Sequence, residues 1–153
     1  MSSVKGPNHA NVIEVLGRNR LIEQLMEDGV HAALPLWDHG VDLIAYYKDK
    51  ALPLQLKVSA ADRWGVYKKY AEVPSLVMVH IWNVKQSSPI EIYAMSYSEA
   101  EEILNTTSTY ATTNSWTKPM GHYDISPVPE KLREKLQQYR MGPGKWLKLL
   151  ERA

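Results

Sequence analysis

The sequence predicts an α/β fold, a central mixed β-sheet flanked by helices. Three observations lead there. An amphipathic helical pattern opens the chain, several short runs rich in branched and aromatic residues follow it, and helical patterns return near the end. The 153 residues suffice for one domain with one core, read here as residues 1–153 with a C-terminal helical extension from about 129.

Each element has its own signal. Over 11–28, Val12, Val15, Leu16, Leu21, Ile22, Leu25 and Met26 recur near the 3.6-residue period, and Gly29 is a natural stop. An apolar stretch, 32–36, leads into a turn through Asp38, His39 and Gly40. Residues 41–47 and 52–58 read as two strands around the polar tip Lys48-Asp49-Lys50. The segment 59–74 reads as irregular, basic and aromatic. Residues 76–82 and 90–95 are further strands joined by a turn at 86–89. Ser98 and Glu101 have capping-box spacing for a short helix to about Leu104. The Thr/Ser/Asn-rich stretch 105–118 reads as a long loop. Pro129 suits the first turn of a helix to about Tyr139, which Met141-Gly-Pro-Gly breaks. Residues 145–152 form a basic amphipathic end, suited to core packing or subunit contact rather than to a membrane.

Composition removes several function classes. No run of 18 apolar residues exists, which argues against a membrane span. Residues 1–11 are polar and lack the apolar centre of a secretory signal, so a cytoplasmic location is expected. With no cysteine, disulfides and thiolate metal sites are excluded. The net charge of +1 says little, but Lys and Arg cluster at 18–20, 63–69 and 140–152, and such patches suit a polyanion.

The 41–58 hairpin carries the chemistry. Strand alternation sets Leu43, Ala45, Leu54, Leu56 and Val58 on one face and Asp42, Gln55 and Lys57 on the other. A tip of even length places Asp42 across from Gln55 or Lys57, so the three polar side chains gather. The Asp carboxylate, the Gln amide oxygen and the main-chain carbonyl of Leu56 are hard oxygen donors suited to Mg²⁺ or Mn²⁺. Lys57 would then orient a water or stabilise charge on a phosphate. Glu14, four residues before Arg18 on the opening helix, is the preferred fourth member, and Glu23 competes for that place.

The stretch Gly40-Val-Asp-Leu-Ile-Ala, followed by Leu54-Gln-Leu-Lys-Val-Ser, resembles the active-site hairpin of the PD-(D/E)XK nuclease superfamily. That family has a helix bearing a Glu, then a hairpin bearing Asp and E-x-K or Q-x-K. Glu14, Asp42, Gln55 and Lys57 match the order, over roughly residues 11 to 83. The Q-x-K form is similar to Mrr-type restriction enzymes and to small homing endonucleases encoded in introns. The resemblance implies a restriction-endonuclease-like core and a Mg²⁺- or Mn²⁺-dependent endonuclease acting on double-stranded DNA. It also implies a homodimer or higher homo-oligomer, because one site cuts one strand. Gln55 stands where most members have Glu, leaving one negative charge fewer. A DNA-binding module without catalysis on the same fold is therefore the alternative, and a junction or repair nuclease is a third.

The remaining candidates are less specific. Arg63, Lys68 and Lys69 follow the hairpin among aromatic residues; they fit phosphate contact or a loop packed on the core about equally. The five histidines show no metal-ligand spacing. His39 reads as a loop residue, His80 as a satisfied core residue and Asp38 as a turn residue.

Overall fold

Helix α1 (His9–Glu27) buries Ile13, Gly17, Leu21 and Leu25, one stripe at a spacing of four. The computed structural model describes residues 9–37, 39–85 and 88–153. The predicted turn residue Asp38 and part of the 86–89 turn lie outside the described residues. The buried stripe differs from the apolar set read from the sequence, because Val12, Val15, Leu16 and Met26 stay exposed. The helix ends as expected. Gly29 takes φ +76°, and the N–H groups of Gly29 and Val30 donate to the carbonyls of Met26 and Leu25 at 3.0 and 2.8 Å. This is a Schellman closure.

The sheet has five strands: β1 (His31–Ala33), β2 (Leu43–Tyr47), β3 (Lys50–Val58), β5 (Val77–Trp82) and β6 (Glu91–Ser96). They lie in the order β1-β2-β3-β5-β6. Only β3 and β5 pair in parallel; the other neighbours are antiparallel, which makes the sheet mixed as the sequence predicts. Tyr47 pairs with Lys50, so the tip is Lys48-Asp49, with Lys48 at φ +54°. Pro53 fits inside β3 because the ladder to β5 begins only at Leu54.

One sheet face packs Leu43, Ala45, Leu54, Val79 and Ile81 under α1 and under α5 (Lys145–Glu151), whose Trp146 and Leu150 are fully buried. The other face sets Met78, Trp82, Tyr93 and Met95 against α2 (Tyr97–Thr106) and α4 (Glu130–Leu136). The same layer holds a two-stranded antiparallel ribbon, β4 (Trp64–Tyr67) with β7 (His122–Ile125). The stretch 59–74 is thus ordered, as β4 and a 3-10 turn, Lys68–Glu72.

Two further expectations shift. The capping box sits at Ser96 and Glu99 rather than at Ser98 and Glu101: Ser96 Oγ accepts from the Glu99 N–H and Glu99 Oε1 from the Ser96 N–H. Helix α2 follows β6 directly, so the cap must sit on the last strand residue. The 105–118 stretch is not one open loop; it holds a 3-10 turn, Tyr110–Thr112, and α3 (Asn114–Thr117), with Trp116 buried. Thr112 and Thr113 donate their hydroxyls to carbonyls three residues back, which lets a Thr-rich segment turn tightly. Among the described residues no helix is long and apolar enough to cross a membrane.

Candidate active-site cleft

A cleft of about 730 Å³ opens at the C-terminal end of β3, between α1, the hairpin and the β4–β7 ribbon. Glu14, Arg18, Asp42, Gln55, Leu56, Lys57 and Arg63 all line it. Of the residues given a catalytic, metal-binding or DNA-binding role from sequence, Lys68 and Lys69 do not line it. Glu14 rather than Glu23 faces the cleft; Glu23 lies 3.8 Å from Arg20 on the exposed side of the helix.

The backbone explains the gathering. The β2–β3 pairing ends at Leu43 and Leu54, in the odd-sum register that an even tip requires, and Asp42 follows at the end of that ladder. The Asp42 N–H donates to the Leu54 carbonyl at 2.8 Å, one residue out of that register, so the chain leaves the regular ladder at Asp42 while staying against β3. Asp42 Oδ2 in turn accepts from the Leu56 N–H at 2.8 Å. A carboxylate thus makes the bond that a strand carbonyl would have made, and the bond fixes its place beside Gln55. The Gln55 amide nitrogen lies 3.5 Å from the Leu56 carbonyl oxygen. Turning that amide over sets two neutral oxygens side by side, next to one carboxylate.

This donor set is all hard oxygen and fits Mg²⁺ or Mn²⁺ in kind. It is also poor in charge. Among the described residues no three His, Cys, Asp or Glu side chains gather into a metal cage. Asp42, Gln55 and Leu56 are the residues of this wall whose oxygens could hold an ion, and Glu14 and Asp124 line the same cleft.

Helix α1 is held close to β3 at Gly17. A Cβ there would overlap Val58 Cγ1, so only glycine permits this approach. Glu14 and Arg18, on either side of Gly17, thereby reach the end of β3 where Lys57 lies.

Burial pushes the Lys57 ammonium down to about 8; Asp124 opposes this, Lys69 and Arg63 add to it, and Asp42 opposes it least. Its Nζ lies 3.9 Å from the centre of the Tyr67 ring. Arg63 is held by Asp124 in a two-pronged pair, Nε to Oδ1 at 2.8 Å and Nη2 to Oδ2 at 2.5 Å. Lys68 lies 5.0 Å over the Trp116 ring.

Tyr67, His80, Asp124 and Gly65 are among the cleft residues that escape the sequence reading of the site. His80 was expected to be a satisfied core residue. It is fully buried, but only its Nε2 is engaged, 3.0 Å from the Gly65 carbonyl oxygen. Nδ1 has no hydrogen-bond partner. The Nε2–H tautomer follows, with burial as the main cause that pushes His80 down to about 4. Tyr67 and Asp124 come to the cleft only through the pairing of β4 with β7, of which the sequence carries a faint sign in the alternation of Tyr123 and Ile125.

No protein-family model matches the chain, and no curated protein does. Among solved structures, a bacterial homing endonuclease, I-Ssp6803I, superposes with a TM-score of 0.51 over 93% of this chain and 91% of that chain, at 12% identity. At that identity the likeness bears on the fold alone: α/β, with a central mixed sheet flanked by helices.

Proposed function

We propose that the chain is a metal-dependent DNA endonuclease of the PD-(D/E)XK kind, in its Q-x-K form. One observation carries the reading: Asp42, Gln55, Leu56 and Lys57 converge with Glu14 in one cleft, on a fold shared with a homing endonuclease. Site-specific cutting of the homing or restriction type fits that neighbour's description best.

Asp42, the Gln55 amide oxygen and the Leu56 carbonyl would hold Mg²⁺ or Mn²⁺, with Glu14 facing them from α1. Such an ion, when bound, polarises the phosphodiester and acidifies a water. The chain's own residues do the rest. Lys57, still mostly an ammonium at pH 7, donates to the phosphate oxygen on which charge builds. Arg18 meets a neighbouring phosphate, and Arg63 is turned by Asp124 to face the same strand. Lys68 and Lys69, outside the wall, would meet the backbone at the edge of the cleft. Cutting both strands takes two such sites, so a homodimer or higher homo-oligomer in the cytoplasm completes the proposal.

Nicking of supercoiled plasmid in Mg²⁺ tests this. Lys57→Ala and Asp42→Ala are expected to slow cutting by roughly 10²- to 10³-fold, in line with losing an electrostatic group from a reacting centre. Unchanged nicking by both variants sinks the mechanism. The charge-poor donor set favours a second reading, DNA binding without catalysis. Salt-sensitive duplex binding that ignores divalent metal, with no nicking by the wild type, selects it.

A further inference from the structure

The anchoring of Lys57 goes beyond the donor set. Its Nζ sits 3.9 Å from the Tyr67 ring centre and 5.2 Å from that of Tyr70. Lys69 Nζ sits 5.3 and 5.8 Å from the same two rings. One pair of tyrosines therefore serves two ammonium groups, one lining the cleft and one outside its wall. The rings are themselves fixed. Tyr67 is paired with His122 across the ribbon and stacks on its ring at 5.1 Å. Its ring centre lies 5.5 Å from that of Tyr70, which is buried.

We propose that Tyr67 is the positioning residue of this site: its ring holds the Lys57 ammonium in the cleft and, with Tyr70, ties Lys69 beside it, so that the two cations form a seat for one backbone phosphate. This rests on the nuclease reading above. The nearby carboxylates act on Lys57 through space and not by direct ion pairing: Asp124 grips Arg63, and Asp42 bonds the Leu56 N–H. Gln55 brings no charge. An aromatic face attracts an ammonium through its quadrupole and leaves the positive charge whole, where a carboxylate would cancel it. Two like charges held close repel, and an anion placed between them relieves that repulsion.

The test places phenylalanine, then mono-, di- and trifluorophenylalanine, at position 67 of the full chain. Fluorines drain the ring face and keep the ring's shape. Tyr67→Phe is expected to nick DNA within about threefold of wild type, and rates to fall with each fluorine to about tenfold below Phe. A second readout needs no activity. The NMR shift of the Lys57 ε-methylene protons, moved by the ring in the wild type and in Tyr67→Phe, should relax toward a free-lysine value in Tyr67→Leu. In Ca²⁺ buffer, Lys69→Ala should lower the salt slope of duplex binding by about one. A flat fluorine series, or a Lys57 shift that ignores Tyr67→Leu, overturns the proposal. If Tyr67→Leu does not fold, the ring-preserving series decides. If the wild type cuts nothing, the nuclease reading falls, while the Lys57 shift still judges the ring contact and a salt slope unchanged in Lys69→Ala overturns the seat.

Discussion

His80 shows how a single buried side chain imposes a pH dependence. Its imidazole is pushed down to about 4 in the fold, chiefly by burial and further by Lys57, against an ordinary value of 6.5. Above pH 6.5 both folded and unfolded chains hold it neutral. Between 6.5 and 4 the unfolded chain takes up the proton and the folded chain does not, so stability falls as pH falls. Below 4 both are protonated and this loss is complete, at about 3 kcal/mol. Urea unfolding of wild type and His80→Asn across pH 7 to 4 reads it. The variant should show a shallower decline by up to one proton's worth of slope; parallel curves would refute the assignment. The sequence alone could not supply this. His80 in an apolar strand was legible as buried, but its half-satisfied state depends on Gly65, which arrives through a ribbon that closes across some 60 residues.

At the level of elements, the hairpin was legible because its signal is local. Period-two alternation from Leu43 to Val58 and the even tip fix the register up to Leu43 and Leu54, and the bond from the Leu56 N–H to Asp42 then holds Asp42 beside Gln55 and Lys57. The ribbon was hidden because β4 and β7 have four residues each, β4 includes Gly65, and the two pair at long range. The contact of α1 with β3 was hidden for another reason: it depends on an atom that is absent, the Cβ of Gly17. Gly17→Ala raises helix propensity by about 1 kcal/mol, yet it drives a methyl into the stiff, β-branched Val58. The helix must then lift, carrying Glu14 and Arg18 with it. Nicking should fall severalfold more than thermal stability suggests, and Val58→Ala in the same chain should restore it. A Gly17→Ala protein that is more stable and cuts at the wild-type rate would show that the approach does not matter to the site.

Across the whole molecule, the first and last helices, α1 and α5, are clasped to each other. The carboxylate of Asp28, just past α1, accepts from the backbone N–H groups of Gly144 and Trp146 at 2.7 and 3.0 Å. Gly144, at φ +81°, has no side chain with which to cap α5, so Asp28 caps it from 116 residues away. Trp146 adds a hydrogen bond from Nε1 to Gln24 Oε1 at 3.1 Å and fills the layer shared by α1 and the sheet. The C-terminal segment was readable as amphipathic, and the structure selects core packing for it, while its cap is out of reach of any local rule. Asp28→Ala should cost about 1–2 kcal/mol, as other lost caps do, and Asp28→Asn less, since the amide oxygen still accepts. Trp146→Ala should cost about 3–5 kcal/mol from the cavity it leaves. Hydrogen exchange distinguishes a clasp from a merely local cap. In Asp28→Ala, amides of α1 and α5 should lose protection together while β5 and β6 keep theirs. Loss confined to α5 would mean that α1 is held by the sheet alone, and that the C-terminus has no part in placing Glu14.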